Sequence, residues 1–331
     1  MKLKSPARIR FYSRIATLVL AGSLTAGAHS WEKLAPLPAP NGGLVCGEVD
    51  GKILAIGGTN WETGARKNWL TTVSQFDPAT LRWSSLGTLE QPMAYGMGAT
   101  VGGVFTVVGG STGQAAFAGV IRVKNAQVSS SPTGGIAVPA VLSAGGLIGD
   151  EIVFVGGTDD AANIKGLGNH TAAWNVRTGT LRRLPAYPGP GLGIAAFAVA
   201  GGELYVFGGA KWDPQEKTTA ANISEALAFT PRTNAWRPLQ SYPFAVRGQA
   251  AVALDDRHIY IAGGSANDEF TDRAFIYDVA KDRYTPAPAL PYKAGPHLVK
   301  SGGFVYCFGG EDRQKHRSDL VYRIKISDLL P

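Results

Sequence analysis

Lys52 to Gly58, KILAIGG, is the stretch that decides the fold. An apolar run ends in a glycine pair, and the phrase returns as VFTVVGG (104–110), EIVFVGG (151–157), ELYVFGG (203–209), HIYIAGG (258–264) and FVYCFGG (304–310). The pairs lie 46 to 55 residues apart. Self-similarity at that period marks a propeller or a solenoid. Each run has the length of a strand buried on both faces. Glycine at its end permits positive φ and a close approach of backbone, so the pairs read as blade-building positions and not as ligand contacts.

The rest of the unit follows from the turns. After each glycine pair and a loop comes a strand that often ends in an aromatic residue. An aromatic or apolar partner stands seven positions on: Phe76 and Trp83, Trp174 and Leu181, Phe229 and Trp236, Tyr277 and Tyr284. Turn formers fill the interval, as in FDPATLRW and YDVAKDRY, which predicts tight hairpins. One repeat is therefore four antiparallel strands, A to D from the axis outward, at the period of the kelch repeat. The chain is read as all-β, a six-bladed kelch-type β-propeller over residues 31–331. Blade 2 is the weakest repeat, with outer strands from AFAGVIRV and AQVSS. Trp31 to Leu34 repeats the D-strand pattern of Trp83 to Leu86 with no glycine pair before it. It is expected to complete the last blade, closing the ring and removing sheet edges.

Residues 1–30 stand apart. Lys2, Lys4, Arg8, Arg10 and Arg14 precede the apolar run IATLVLAGSLTAGA and small residues, the pattern of a secretory signal peptide. The run is short for a membrane anchor, so the mature protein is expected in the bacterial periplasm or outside the cell. The leader also accounts for the charge. The chain has 32 basic and 25 acidic side chains; without the leader's five basic residues 27 face 25. That balance gives no ground for nucleic-acid or membrane-surface binding. Cys46 and Cys307 fall in blades that ring closure makes neighbours. An oxidising compartment permits a bond, while their apolar strands suit buried free thiols. No Cys/His cluster has zinc spacing, and no phosphate loop or nucleophile elbow occurs.

Strand direction then places a site. The B–C loops and D–A crossings leave the same face of the ring, while the A–B turns on the other face are short and plain. Loops on a rigid scaffold are where binding and catalysis concentrate, and they surround an axial funnel. Candidates just after the glycine pairs are Asn60, Trp61, Asp159, Lys211, Trp212 and Glu311. At the crossings they are Asn41, Tyr95, Tyr187, Arg247, Tyr292, Lys293 and His297. Tryptophans with Asn, Arg and carboxylates suit a sugar, whose ring faces stack on aromatics while its hydroxyls take hydrogen bonds. Glu311 follows an apolar strand and should be partly buried, an environment that favours acid/base work. Arg317 is six positions on, where a turn of the loop brings both to one point.

The combination of WEKLAPLPAPNGG, AIGGTNW and GGEDRQKHRSD resembles the cyclically permuted mutarotase group of kelch proteins, relatives of bacterial N-acetylneuraminate epimerase. The resemblance covers essentially residues 31–331. It implies a six-bladed propeller with the ligand in its central funnel. The family motif is a glutamate after the strand-B glycine, an arginine six residues on, then Thr or Ser and Asp; Glu311, Arg317, Ser318 and Asp319 match it. The sequence departs at Leu192, where members can carry arginine, and in a shorter first B–C loop.

The expected activity is equilibration of the anomers of a free sugar, N-acetylneuraminate foremost, with Glu311 and Arg317 catalytic. Asn60, Trp61, Tyr95, Trp212 and Arg247 would bind the substrate. No metal and no cofactor is called for, and a homodimer is compatible with the sequence. The alternative is a propeller that binds glycans or proteins without turnover. A copper oxidase on the same fold would need histidine and tyrosine ligands, and the histidines show no paired arrangement.

Overall fold

The computed structural model describes residues 30–330 apart from 63–65, 134–140, 160–165 and 213–219. The expected leader, save Ser30, lies outside them, as does most of the blade 4 B–C loop. Six antiparallel sheets are built on the repeat. Blade 1 takes strands Val45–Val49, Lys52–Ile56, Thr72–Asp77 and Arg82–Thr88 in order from the axis. Blade 2 runs from Met97–Val101 to Gln127–Pro132, blade 3 from Ala144–Ile148 to Leu181–Leu184, and blade 4 from Ala196–Ala200 to Ala235–Pro238. Blade 5 runs from Ala250–Ala253 to Arg283–Pro286. Blade 6 comprises Gly295–Ser301, Phe304–Arg313 and Val321–Lys325, and its outer strand is Glu32–Lys33, with Glu32 opposite Arg323. The outer strands of blade 2, Gly119–Lys124 and Gln127–Pro132, fall where the sequence suggested.

Alternation explains why strand B is apolar throughout. In blade 1, Leu54 and Ile56 pack with Phe105 and Val107 of blade 2, while Ile53 and Ala55 pack with Tyr306 and Phe308 of blade 6. Successive side chains point to opposite faces of a strand, and here both faces meet a neighbouring sheet. A core cluster fills each of the six junctions between neighbouring blades, the junction of blades 6 and 1 included.

The seven-residue spacing proves to be a cross-strand pair. Phe76 stands opposite Trp83, Trp174 opposite Leu181, Phe229 opposite Trp236, and Tyr277 opposite Tyr284. Ring centroids in the three aromatic pairs are 4.9 to 5.3 Å apart. The outer aromatic has a second role. Trp83 Nε1 donates to Ala35 O, Trp236 Nε1 to Pro185 O, Tyr284 Oη to Gln240 O and Trp31 Nε1 to Ala289 O. Each acceptor lies just past strand D of the preceding blade, so the polar edge of the ring ties blade to blade. Trp31 makes this bond to blade 5 from the D position of blade 6.

At least one glycine of each pair lies close against neighbouring backbone. Gly57 has φ 62°, and a Cβ on it would lie 1.9 Å from the Met93 carbonyl oxygen. Gly51, in an A–B turn, also has positive φ but open space around it. Gly57→Ala should therefore cost about 2 kcal/mol or more, and Gly51→Ala only about 1 kcal/mol. Urea unfolding of the two variants measures the difference; equal losses would show that backbone crowding at the pair is relieved at no cost.

Candidate functional site

The inner strands surround a cavity of about 1250 Å³ on the axis. Its mouth is built from the D–A crossings, joined head to tail by backbone hydrogen bonds. Tyr95 N donates to Gly43 O at 2.7 Å, Leu142 N to Tyr95 O at 3.3 Å, Ile194 N to Leu142 O at 2.9 Å and Gly248 N to Ile194 O at 2.8 Å. These five residues all have φ between 55° and 68°. The next donor in the series would come from blade 6, but Pro296 stands there without an N–H. Among the described residues no such bond reaches Gly248 O, and at the junction of blades 6 and 1 the acceptor is a side chain, with Gly43 N donating to His297 Nε2 at 3.2 Å. As an acceptor, that nitrogen must be unprotonated. Burial, then the charge of Arg317, lowers the His297 pKa from 6.5 to about 4.

Glu311 and Arg317 face each other across a hairpin that extends strand B of blade 6. Arg317 Nη1 lies 2.7 Å from Glu311 Oε2, and Glu311 Oε1 accepts from Lys315 N at 3.3 Å. The Arg317 side chain is 6 % exposed and that of Glu311 36 %. Glu311 is half-buried, as expected, and Arg317 is the more deeply buried of the two. Glu311 sits at the cavity edge against a guanidinium, whereas the arginine stem passes over Gly42, where a Cβ would come within 2.5 Å of Arg317 Cδ. Arg317 Nε and Nη1 are buried without a hydrogen-bond acceptor among the described residues; the contact with Glu311 is an ion pair by distance but off the line of a hydrogen bond.

Tyr95 joins this pair. Its Oη is 3.5 Å from Arg317 Nη2 and 3.3 Å from Thr59 Oγ1. Burial is the largest influence on the phenol and acts upward, but the charges of Lys67 and Arg317 and hydrogen bonds from Lys67 and Thr59 outweigh it, so its pKa lies below the ordinary value. Arg247, at the entry to blade 5 beside blade 6, also lines the cavity, with Nη1 3.4 Å from Ala220 O and Nη2 3.9 Å from Asp268 Oδ1. Lys293, Gln249, Asp312 and Arg313 add polar lining over a floor that includes Met97, Phe197 and Leu298.

Three expected contacts are not brought together with these. Asn60, Trp61 and Trp212 do not line the cavity. The blade 1 loop is a hairpin, Thr59–Trp61 against Lys67–Trp69, which carries Asn60 into a bond with Asn68 and sets Trp61 opposite Lys67. Strand B of blade 4 continues to Trp212, which lies opposite Gly191 and away from the axis. Asp159 is exposed, and Asn41 and Tyr187 are buried. Asn41 braces the scaffold, bonding Gly57 O and Thr59 N. Lys67, left aside by sequence reasoning, is the addition. Its Nζ lies 5.9, 5.0 and 4.8 Å from the ring centres of Trp61, Trp69 and Tyr95. The period-two alternation of Lys67 and Trp69 could have exposed it. Cys46 and Cys307 are both free thiols, pushed up to about 12 by burial. Among the described residues no three His, Cys, Asp or Glu side chains gather as a metal site would need.

Residues 136–288 match the family model described as N-acetylneuraminate epimerase, and residues 40–90 match that of the Kelch motif. The epimerase-model match spans blades 3 to 5 and ends before Glu311. The human Kelch-like protein 33 is 34% identical over 137 residues, which are 41% of this chain and 25% of that protein. The Kelch-like protein terF of Aspergillus terreus is 25% identical over 269 residues, 76% of this chain and 56% of that protein. The N-acetylneuraminate epimerase of Salmonella enteritidis is 24% identical over 176 residues, 43% of this chain and 46% of that protein. The chain thus spans between about a quarter and about half of these relatives.

The imidazole that accepts from Gly43 sets a pH dependence. Above pH 6.5 His297 is neutral both folded and unfolded. Below that, the unfolded chain takes up a proton that the folded ring refuses until about pH 4, so stability falls as pH drops through this window. His297→Gln, which keeps an acceptor, should lose less stability than wild type from pH 7 to 4 in urea unfolding. Parallel curves would show that another group is responsible.

Proposed function

We propose that this propeller equilibrates the anomers of a free sugar, most readily N-acetylneuraminate, in the funnel beside Glu311 and Arg317. The observation that carries this reading is the Arg317 guanidinium, which lines the cavity between the Glu311 carboxylate and the Tyr95 hydroxyl. Glu311 is already its counter-ion at 2.7 Å, and a sugar carboxylate would match the planar fork of the guanidinium as a second anion. The epimerase-model match and the Salmonella relatives support the same substrate class. The leader read at residues 1–30 would put the activity in the periplasm or outside the cell.

Mutarotation opens the pyranose and closes it on the other face. A base takes the anomeric hydroxyl proton while the bond from the anomeric carbon to the ring oxygen breaks and an acid protonates that oxygen. Rotation about the adjoining C–C bond and the reverse steps give the other anomer, with no net change in protons or oxidation state. Glu311, at the cavity edge and fixed by Arg317 and Lys315, is the base. Arg247 on the neighbouring blade 5 would steady the rest of the sugar.

The kelch-like relatives favour a second reading, a propeller that binds a glycan or a protein without turnover. Proton NMR of freshly released α-N-acetylneuraminate separates the two. Wild type should speed its conversion to the β anomer, and Glu311→Gln should lose about 10²–10⁴-fold of that acceleration. Saturable binding without acceleration would support the second reading, and an undiminished rate in Glu311→Gln would remove that residue from the mechanism.

A further inference from the structure

We infer that the phenol of Tyr95 is the second proton-transfer group of the funnel, the acid that protonates the ring oxygen while Glu311 takes the anomeric hydroxyl proton. The inference rests on the mutarotase reading. It arises because one guanidinium holds both groups: Arg317 Nη1 is 2.7 Å from the Glu311 carboxylate and Nη2 is 3.5 Å from the Tyr95 hydroxyl. Both side chains line the cavity. A sugar carboxylate on Arg317 would therefore lie between a base and an acid.

The phenol is held with unusual firmness. Tyr95 is a crossing residue of the mouth circuit, with φ 62°, a conformation that costs a non-glycine residue energy and that proteins retain mostly at working sites. Its ring lies against the bare backbone of Gly43, where a Cβ would come within 2.3 Å of Tyr95 Cε1. Trp69 meets it edge-on at 5.8 Å. The charged and titratable groups around it are Lys67, Arg317 and, across the guanidinium, Glu311, while His297 stands behind Gly43 and remains neutral above about pH 4. The two cations do for this phenol what no neighbour does for the others. Burial pushes Tyr187, Tyr242, Tyr284 and Tyr292 upward, whereas Tyr95 moves down.

The protons balance. The resting pair is a carboxylate and a phenol. On ring opening the hydroxyl proton passes to Glu311, its O–H electron pair becomes the new carbonyl π bond, and the ring C–O pair leaves with the oxygen. That oxygen takes the Tyr95 proton, leaving a phenolate beside Lys67 and Arg317. Reclosure on the opposite face returns both protons. Lys67, which does not reach the substrate in this scheme, is a positioning residue that stabilises the phenolate.

The test uses the full chain with free N-acetylneuraminate. Tyr95→Phe should fold, with an unchanged melting curve, and lose about 10²–10⁴-fold of the acceleration. An acid must be protonated to act, so the wild-type rate should fall at high pH as this phenol ionises, and Lys67→Met should move that limb to higher pH. Ultraviolet difference titration without sugar should find one phenol below the ordinary value of about 10, absent in Tyr95→Phe and raised in Lys67→Met. A Tyr95→Phe enzyme at the wild-type rate, or an alkaline limb that ignores Lys67→Met, overturns the assignment while leaving the mutarotase intact. If wild type accelerates no sugar, the mutarotase reading fails first and this inference falls with it.

Discussion

Everything around the axis depends on the circuit of backbone hydrogen bonds between the blade crossings. Four of the six crossings give one N–H to the carbonyl of the crossing before, and the residues that do so turn through positive φ. Glycine accepts that conformation freely at Gly43 and Gly248, but Tyr95, Leu142 and the β-branched Ile194 do not. Their strain, about 1–2 kcal/mol each, is offset by the bonds of the circuit and by the sheets that fix both ends of every crossing. The circuit therefore works as a rigid collar that hands each blade's next residue to the cavity in a set direction.

The collar departs from this pattern on either side of the blade 6 crossing, and the chemistry gathers beside it. Pro296 has no N–H to give to Gly248 O, and at the junction of blades 6 and 1 the His297 imidazole accepts from Gly43 N in place of a backbone carbonyl. The same junction admits the Arg317 stem over Gly42, and the Tyr95 ring over Gly43. Two glycines in succession thus make room for a guanidinium and a phenol side by side. A buried guanidinium also disfavours protonation of the nearby imidazole. The acceptor role of His297 and the charge of Arg317 consequently reinforce each other.

The blades were legible because their signals are local. A strand buried on both faces must be apolar throughout, and a hairpin of fixed length sets Phe76 against Trp83 and Tyr277 against Tyr284. The Glu311–Arg317 pair was legible for the same reason, being two positions opposed across one hairpin. Trp61 and Trp212 misled because nearness to a glycine pair in sequence was taken for nearness to the axis. Where strands continue beyond the glycines, residues two or more places on travel outward with them.

The sequence by itself determined the repeat, the strand order and the face on which a site can lie, since each follows from periodicity, turn chemistry and the antiparallel alternation of direction. It also placed a carboxylate and an arginine within one turn of each other. Only the tertiary structure decided which of the two is buried, that Lys67 stands over Tyr95, and that the phenol shares the guanidinium. Tyr95 and Arg317 are 222 residues apart. Their encounter depends on the circumference of the ring and on bare backbone at Gly42 and Gly43, and no local rule in the chain expresses that.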